Sequence, residues 1–166
     1  MITATFIVTM ARMDEAGAVI EFLTWFVAGL AAAASIFAWG PVVRRLGLAT
    51  SYPLALGLLA LGVVGSVALP PPAAPLVGGL LLGATFMAIT AHGLRLGRML
   101  SPDSPRRALG VMTAAFGIGQ IVGPLVAGRL AEATGSFTLA SLLGALALLL
   151  AMAAVLSVRR ALIGQP

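Results

Sequence analysis

The chain alternates between long apolar runs and short polar breaks. Five runs, at 22–43, 51–69, 73–94, 108–128 and 137–158, contain no Asp, Glu, Lys or Arg. A helix needs about 20 mostly apolar residues to cross the hydrocarbon core of a bilayer. Each run therefore predicts one transmembrane helix, and together they predict an all-α polytopic bundle. A sixth segment, 1–11, is apolar but too short to span, and reads as a partial transmembrane helix. It has neither the basic start nor the small-residue cleavage site of a signal peptide. The predicted breaks are a polar loop at 12–21, a tight connection at 46–50, a stiff uncharged loop built on Pro70, Pro71 and Pro72, a polar loop at 101–107, a turn at 134–136 and a tail at 159–166.

Charge gives these spans a direction. Arg44, Arg45, Arg95, Arg98, Arg106, Arg107, Arg159 and Arg160, with Asp103, fall on one side of the membrane, net +7. Arg12 and Arg129, with Asp14, Glu15, Glu21 and Glu132, fall on the other, net −2. Lys and Arg concentrate on cytoplasmic loops. The C-terminus is thus expected inside, and the proline loop and residues 12–21 outside. Residues 1–11 then form the outer half of a helix whose inner half would precede Met1. A helix ending at mid-bilayer leaves backbone groups without partners.

Composition narrows the class. The chain is 60% hydrophobic and 9% charged, with mean hydropathy +1.10, far from the balance of a water-soluble domain. Its net charge of +5 comes from arginines that form no continuous stripe, and aromatics are sparse, so nucleic acid is not an expected partner. The absence of cysteine excludes disulfides and thiol chemistry. No span holds paired carboxylates, a metal-ligand cluster or a nucleophile–base pair, which argues against an enzyme. No cofactor or metal is implied. The expected surroundings are lipid.

Within the spans, Gly79 and Gly83 sit four apart, as do Gly119 and Gly123, a spacing that lets helix backbones approach closely. Pro124 removes the helical bond to the Gln120 carbonyl and predicts a kink. Gly110 and Gly128 lie opposite Gly119 and Gly123 on a helical wheel, as in a helix wedged between neighbours.

The segment 114–128, reading AAFGIGQIVGPLVAG and continuing to Thr134-Gly135-Ser136-Phe137, resembles the eleventh helix of the major facilitator superfamily. More narrowly, it is similar to the YbfB/YjiJ-like branch. Ile2-Thr3-Ala4-Thr5-Phe6 and Gly83-Ala84-Thr85-Phe86-Met87-Ala88-Ile89-Thr90 agree with it. The stretch from Gly40 to Ala49 resembles the cytoplasmic signature Gly-x-x-x-Asp-Arg-x-Gly-Arg-Arg. Gly40, Arg45 and Gly47 match, Arg44 stands at the Asp position, and the trailing basic residues are absent. The resemblance implies a twelve-helix secondary transporter of two six-helix halves, a central cavity and alternating access in the bacterial inner membrane. It aligns 1–11 with the end of helix 7 and the five spans with helices 8–12. The glycine–proline pattern of the fourth span is the repeat-related counterpart of one known in helix 5 of proton-coupled exporters, so the resemblance implies antiport or export. Transport is expected to be proton-coupled, and because no span contains a carboxylate the coupling falls to His92 or to the absent half.

Polar groups at membrane depth usually face protein or a cavity. Gln120 lies near the middle of the fourth span, with Thr113 seven residues earlier on the same face and Phe116 between them. Its amide offers two donors and an acceptor to a solute, or an interhelical hydrogen bond. His92 is the only histidine and is able to relay protons near neutral pH, or simply to reach interfacial water near Arg95. Thr85 shares its face, and Thr90 is a further cavity candidate. Thr24 and Ser35 are weaker ones, because such hydroxyls bond their own helix. Trp25 and Trp39 fit interfacial anchors, and Arg95 and Arg98 fit snorkelling to headgroups or contact with an anionic solute.

The resulting expectation is transport of a small solute. The alternative is a truncated, non-transporting membrane protein or an assembly partner. A missing N-terminal half or a second copy would complete the transporter.

Overall fold

The prolines and glycines of this chain explain where its helices begin and end. The computed structural model describes residues 18–163, with side chains over 19–158. The partial helix expected at 1–11, the charges Arg12, Asp14 and Glu15, and the side chains of Arg159 and Arg160 lie outside the described residues. Five helices follow one another: α1 (Ala18–Leu46), α2 (Leu48–Ala68), α3 (Ala73–Leu100), α4 (Pro105–Thr134) and α5 (Thr138–Ile163). Pro105 opens α4 at a position that needs no amide hydrogen. Gly135 closes it in the left-handed conformation, φ 68°, with its N–H on the Ala131 carbonyl at 2.8 Å.

The connection expected over 46–50 is the single residue Gly47. Its φ of 74° and ψ of 163° lie in a region that is nearly glycine-only, so the chain reverses in one step. The Gly47 carbonyl accepts bonds from the Ser51 amide at 3.1 Å and the Ser51 hydroxyl at 2.8 Å. A Cβ at Gly47 would touch nothing within 4 Å. Gly47→Ala therefore costs backbone strain alone, about 1–3 kcal/mol, readable as a lower unfolding midpoint in detergent.

Short connections make the helices alternate in direction. α3 packs along α1 on one side and α2 on another, and α2 packs on α5. α4 touches α3 and α5 lightly and meets neither α1 nor α2, while α1 has only slight contact with α2. The ends bearing Arg44, Arg45, Arg95, Arg98, Arg106 and Arg107 thus share one face of the bundle.

The interior is small and the exterior large. Thr24, Ser51, Thr85 and Ser141 are the largest fully buried side chains, packed with alanines such as Ala55, Ala127 and Ala140. Phe37 is 79% exposed, and Ile36 and Ile121 each 67%. A soluble protein would bury these residues, whereas helices in lipid pack through small ones. The chain is an all-α transmembrane bundle, each of its five helices long and apolar enough to cross a membrane.

Gly79 and Gly83 lie where α3 crosses α1. A Cβ on Gly79 would lie 2.9 Å from the Thr24 carbonyl oxygen, and one on Gly83 would fall on the Ala28 carbonyl. Gly119 and Gly123 differ. A Cβ on either, or on Gly110 or Gly128, meets nothing within 4 Å. The expected wedging of α4 between neighbours is absent among the described residues, because α4 leans on α3 and α5 over short stretches and leaves most of its surface bare.

Candidate functional site

Two surfaces carry the polar groups singled out by the sequence. The first is a groove of about 520 Å³ between the arginine-bearing halves of α1 and α3. On α1 it is lined by Ser35, Ile36, Trp39, Val43 and Arg44, and on α3 by Met87, Ala91, His92 and Arg95. Trp39 pins the two helices together. Its indole N–H donates to the Ala84 carbonyl at 2.7 Å, a short bond for an N–H donor. The Trp39 and His92 rings meet at 5.5 Å, nearly perpendicular, and Tyr52 of α2 approaches His92 at 6.5 Å in the same manner. His92 is only 7% exposed, and its Nε2 has no hydrogen-bond partner. Three helices therefore meet around one imidazole.

The groove's other polar atoms are mostly committed. Ser35 Oγ donates to the Ala32 carbonyl at 2.7 Å, and the Trp39 N–H is occupied as described. Arg44 and Arg95 are exposed. A smaller apolar groove of about 230 Å³ lies between the same helices, walled by Trp25, Ala28, Gly83 and Phe86 among others. Phe86 also meets Phe116 of α4, ring centroids 6.4 Å apart.

The second surface is the largely exposed flank of α4, where Phe116 alone of the three candidates reaches a ring of α3. Thr113, Phe116 and Gln120 are all exposed there. Gln120 makes no hydrogen bond among the described residues. Pro124 lies inside α4, one turn beyond Gln120, and the helix continues through it.

The structure does not unite all the cavity candidates. Thr85 is fully buried, and its hydroxyl donates to the Leu81 carbonyl at 2.7 Å. It faces a helix contact, not a cavity. Thr90 donates to the Phe86 carbonyl at 3.1 Å, and Thr24 to the Ile20 carbonyl at 2.8 Å. These β-hydroxyls sit within reach of their own helix, which satisfies them at no cost in packing. His92 belongs to the groove, while Gln120, Thr113 and Phe116 belong to α4. Arg44 and Arg45 lie at the end of α1, and Arg44 alone of the two lines the groove.

Sequence reasoning missed Tyr52 and gave Trp39 only an anchoring role. Tyr52 is the sole tyrosine, yet nothing local marks it as a neighbour of a histidine forty residues away. For Trp39, the partner is a backbone carbonyl, which carries no residue signature at all.

A family model described as "Uncharacterised MFS-type transporter YbfB" matches residues 1–156, nearly the whole chain. The chain belongs to this YbfB family of MFS-type transporters. No curated protein and no solved structure matches it. Membership and the five spanning helices make this YbfB-family chain an integral membrane protein of a transporter family.

Proposed function

We propose that this chain carries a small solute across the bacterial inner membrane by proton-coupled alternating access, with its arginine-bearing face and C-terminus in the cytoplasm. The observation that carries the reading is Gln120. It places an exposed amide, with no hydrogen-bond partner among the described residues, at mid-span on α4. Facing lipid, such a group is costly, and facing an aqueous pathway it is an asset. Thr113 and Phe116 on the same flank add a hydroxyl and an aromatic surface, enough to bind a small polar solute with an apolar part. His92 is the span-borne side chain able to take up and give back a proton, and we assign the coupling proton to it. The arginine asymmetry supports the orientation.

The bare glycine row of α4 favours a second element of the same reading. A glycine within a helix costs about 1 kcal/mol relative to alanine, and Gly119 and Gly123 recover nothing from contacts with the described residues. A further helix bundle, either an N-terminal half or a second copy, would make that spacing useful. A pure assembly partner without transport is the competing reading.

Substitution decides between them. With equal membrane expression, Gln120→Ala impairs solute transport by the assembled transporter strongly, while Thr24→Ala, whose hydroxyl is satisfied by its own helix, impairs it little. Equal transport by the two variants would remove Gln120 from the pathway.

A further inference from the structure

The charged side chains of the groove between α1 and α3 stand at one end only. Arg44 and Arg95 stand at its outer end, and neither makes an ion pair or hydrogen bond among the described residues. The described carboxylates lie elsewhere. Glu21 and Glu132 are at the opposite face of the bundle, and Asp103 is in the turn between α3 and α4. Inward from the arginines the walls are Ile36, Val43, Met87, Ala91 and His92, with the Ser35 and Trp39 donors already bonded and the His92 Nε2 buried beneath the surface. From Arg44 back to Ser35 the groove runs about 13 Å along α1, at the helical rise of ~1.5 Å per residue. It thus extends along the membrane normal from headgroup depth toward the bilayer interior. Ile36 and Met87 leave it open sideways, at 67% and 46% exposure.

From this we infer that the groove is a binding site for one anionic phospholipid, its phosphate held by Arg44 and Arg95 and one acyl chain lying along the apolar walls. The two guanidiniums supply charge-assisted donors for phosphate oxygens. A basic pocket between helices on an arginine-rich face is a suitable headgroup site. The apolar, sideways-open remainder suits a chain arriving from the bilayer and offers a soluble anion nothing to bind. The inference stands on the bundle's residence in a membrane and is independent of which surface the solute follows.

Native mass spectrometry of the purified full chain in detergent, supplied with dioleoyl phosphatidylglycerol or dioleoyl phosphatidylcholine, tests it. Phosphatidylglycerol is retained in preference to phosphatidylcholine. Arg44→Gln and Arg95→Gln each lower its retention about fivefold, and together about 25-fold, the factor expected when one arginine's attraction to an anionic headgroup is removed at each site. Arg98→Gln with Arg107→Gln, on the same face but outside the groove, lowers retention much less than the Arg44–Arg95 pair. Ala91→Trp fills the groove without changing its charge and also releases the lipid. Thermal melts in phosphatidylcholine, unchanged between these variants and the parent chain, show that folding is intact. The inference is overturned if both lipids are held equally, if the two double arginine variants lose lipid equally, if inorganic phosphate displaces the lipid, or if Ala91→Trp retains it.

Discussion

Gly83→Ala lowers the stability of the bundle by about 1–3 kcal/mol, the usual cost of overpacking a well-fitted contact, and Gly83→Leu lowers it further. The reason lies in what the new methyl would meet. Its Cβ falls on the Ala28 carbonyl, with the Ala31 Cβ 3.0 Å away. A flexible side chain rotates aside at small cost, but a helix backbone does not, so α1 must move off α3. That movement strains the Trp39–Ala84 hydrogen bond further along the same pair. Gly79→Ala acts similarly but more mildly, since its nearest neighbour is the Thr24 carbonyl oxygen at 2.9 Å. Gly123→Ala is the contrasting case. With open space around it, alanine gains up to about 1 kcal/mol of helix propensity. SDS-induced unfolding of the four variants in mixed micelles reads these differences directly. If Gly83→Ala and Gly123→Ala unfold at the same midpoint, the close approach of α1 to α3 is not as described.

Those two glycine pairs also show how far sequence carries. Spacing by four says that a helix has a flat, thin face, and it says so equally for Gly79–Gly83 and Gly119–Gly123. It does not say what lies opposite. For the first pair the partner is α1 of the same chain, while for the second no described residue approaches. The apolar runs are far more informative, because a bilayer imposes length and polarity on each span separately, without reference to neighbours. Hydroxyls fall between these cases. Thr85 is plainly a polar group at membrane depth, but whether it faces a cavity depends on whether its own helix carbonyl has already claimed the proton, and here it has. Trp39 needs tertiary structure outright. Its indole reaches across to a residue 45 positions later, and the acceptor is backbone.

The proposed coupling role of His92 makes the second large prediction. In proteoliposomes holding the assembled transporter, His92→Gln loses uptake driven by a pH gradient down to the level of empty vesicles. Solute counterflow, which needs no net proton movement, continues. Glutamine keeps a polar side chain of similar reach but cannot take up a proton near neutral pH. The separation of the two readouts matters because His92 is also a packing residue. Its ring meets Trp39 and Tyr52 edge-on from two other helices, and perpendicular aromatic contacts contribute to stability on their own. A merely structural histidine would lose counterflow and driven uptake together. The groove around it contains Arg44 and Arg95 but no carboxylate among its lining residues, which leaves the imidazole as the lining group suited to exchange a proton. Its meeting point between α1, α2 and α3 then gives that proton leverage. Charging a ring held between two aromatic side chains changes what three helices prefer to pack against, and a change in helix packing is what alternating access requires. Driven uptake that survives His92→Gln would move the coupling proton elsewhere and leave the imidazole as a packing element.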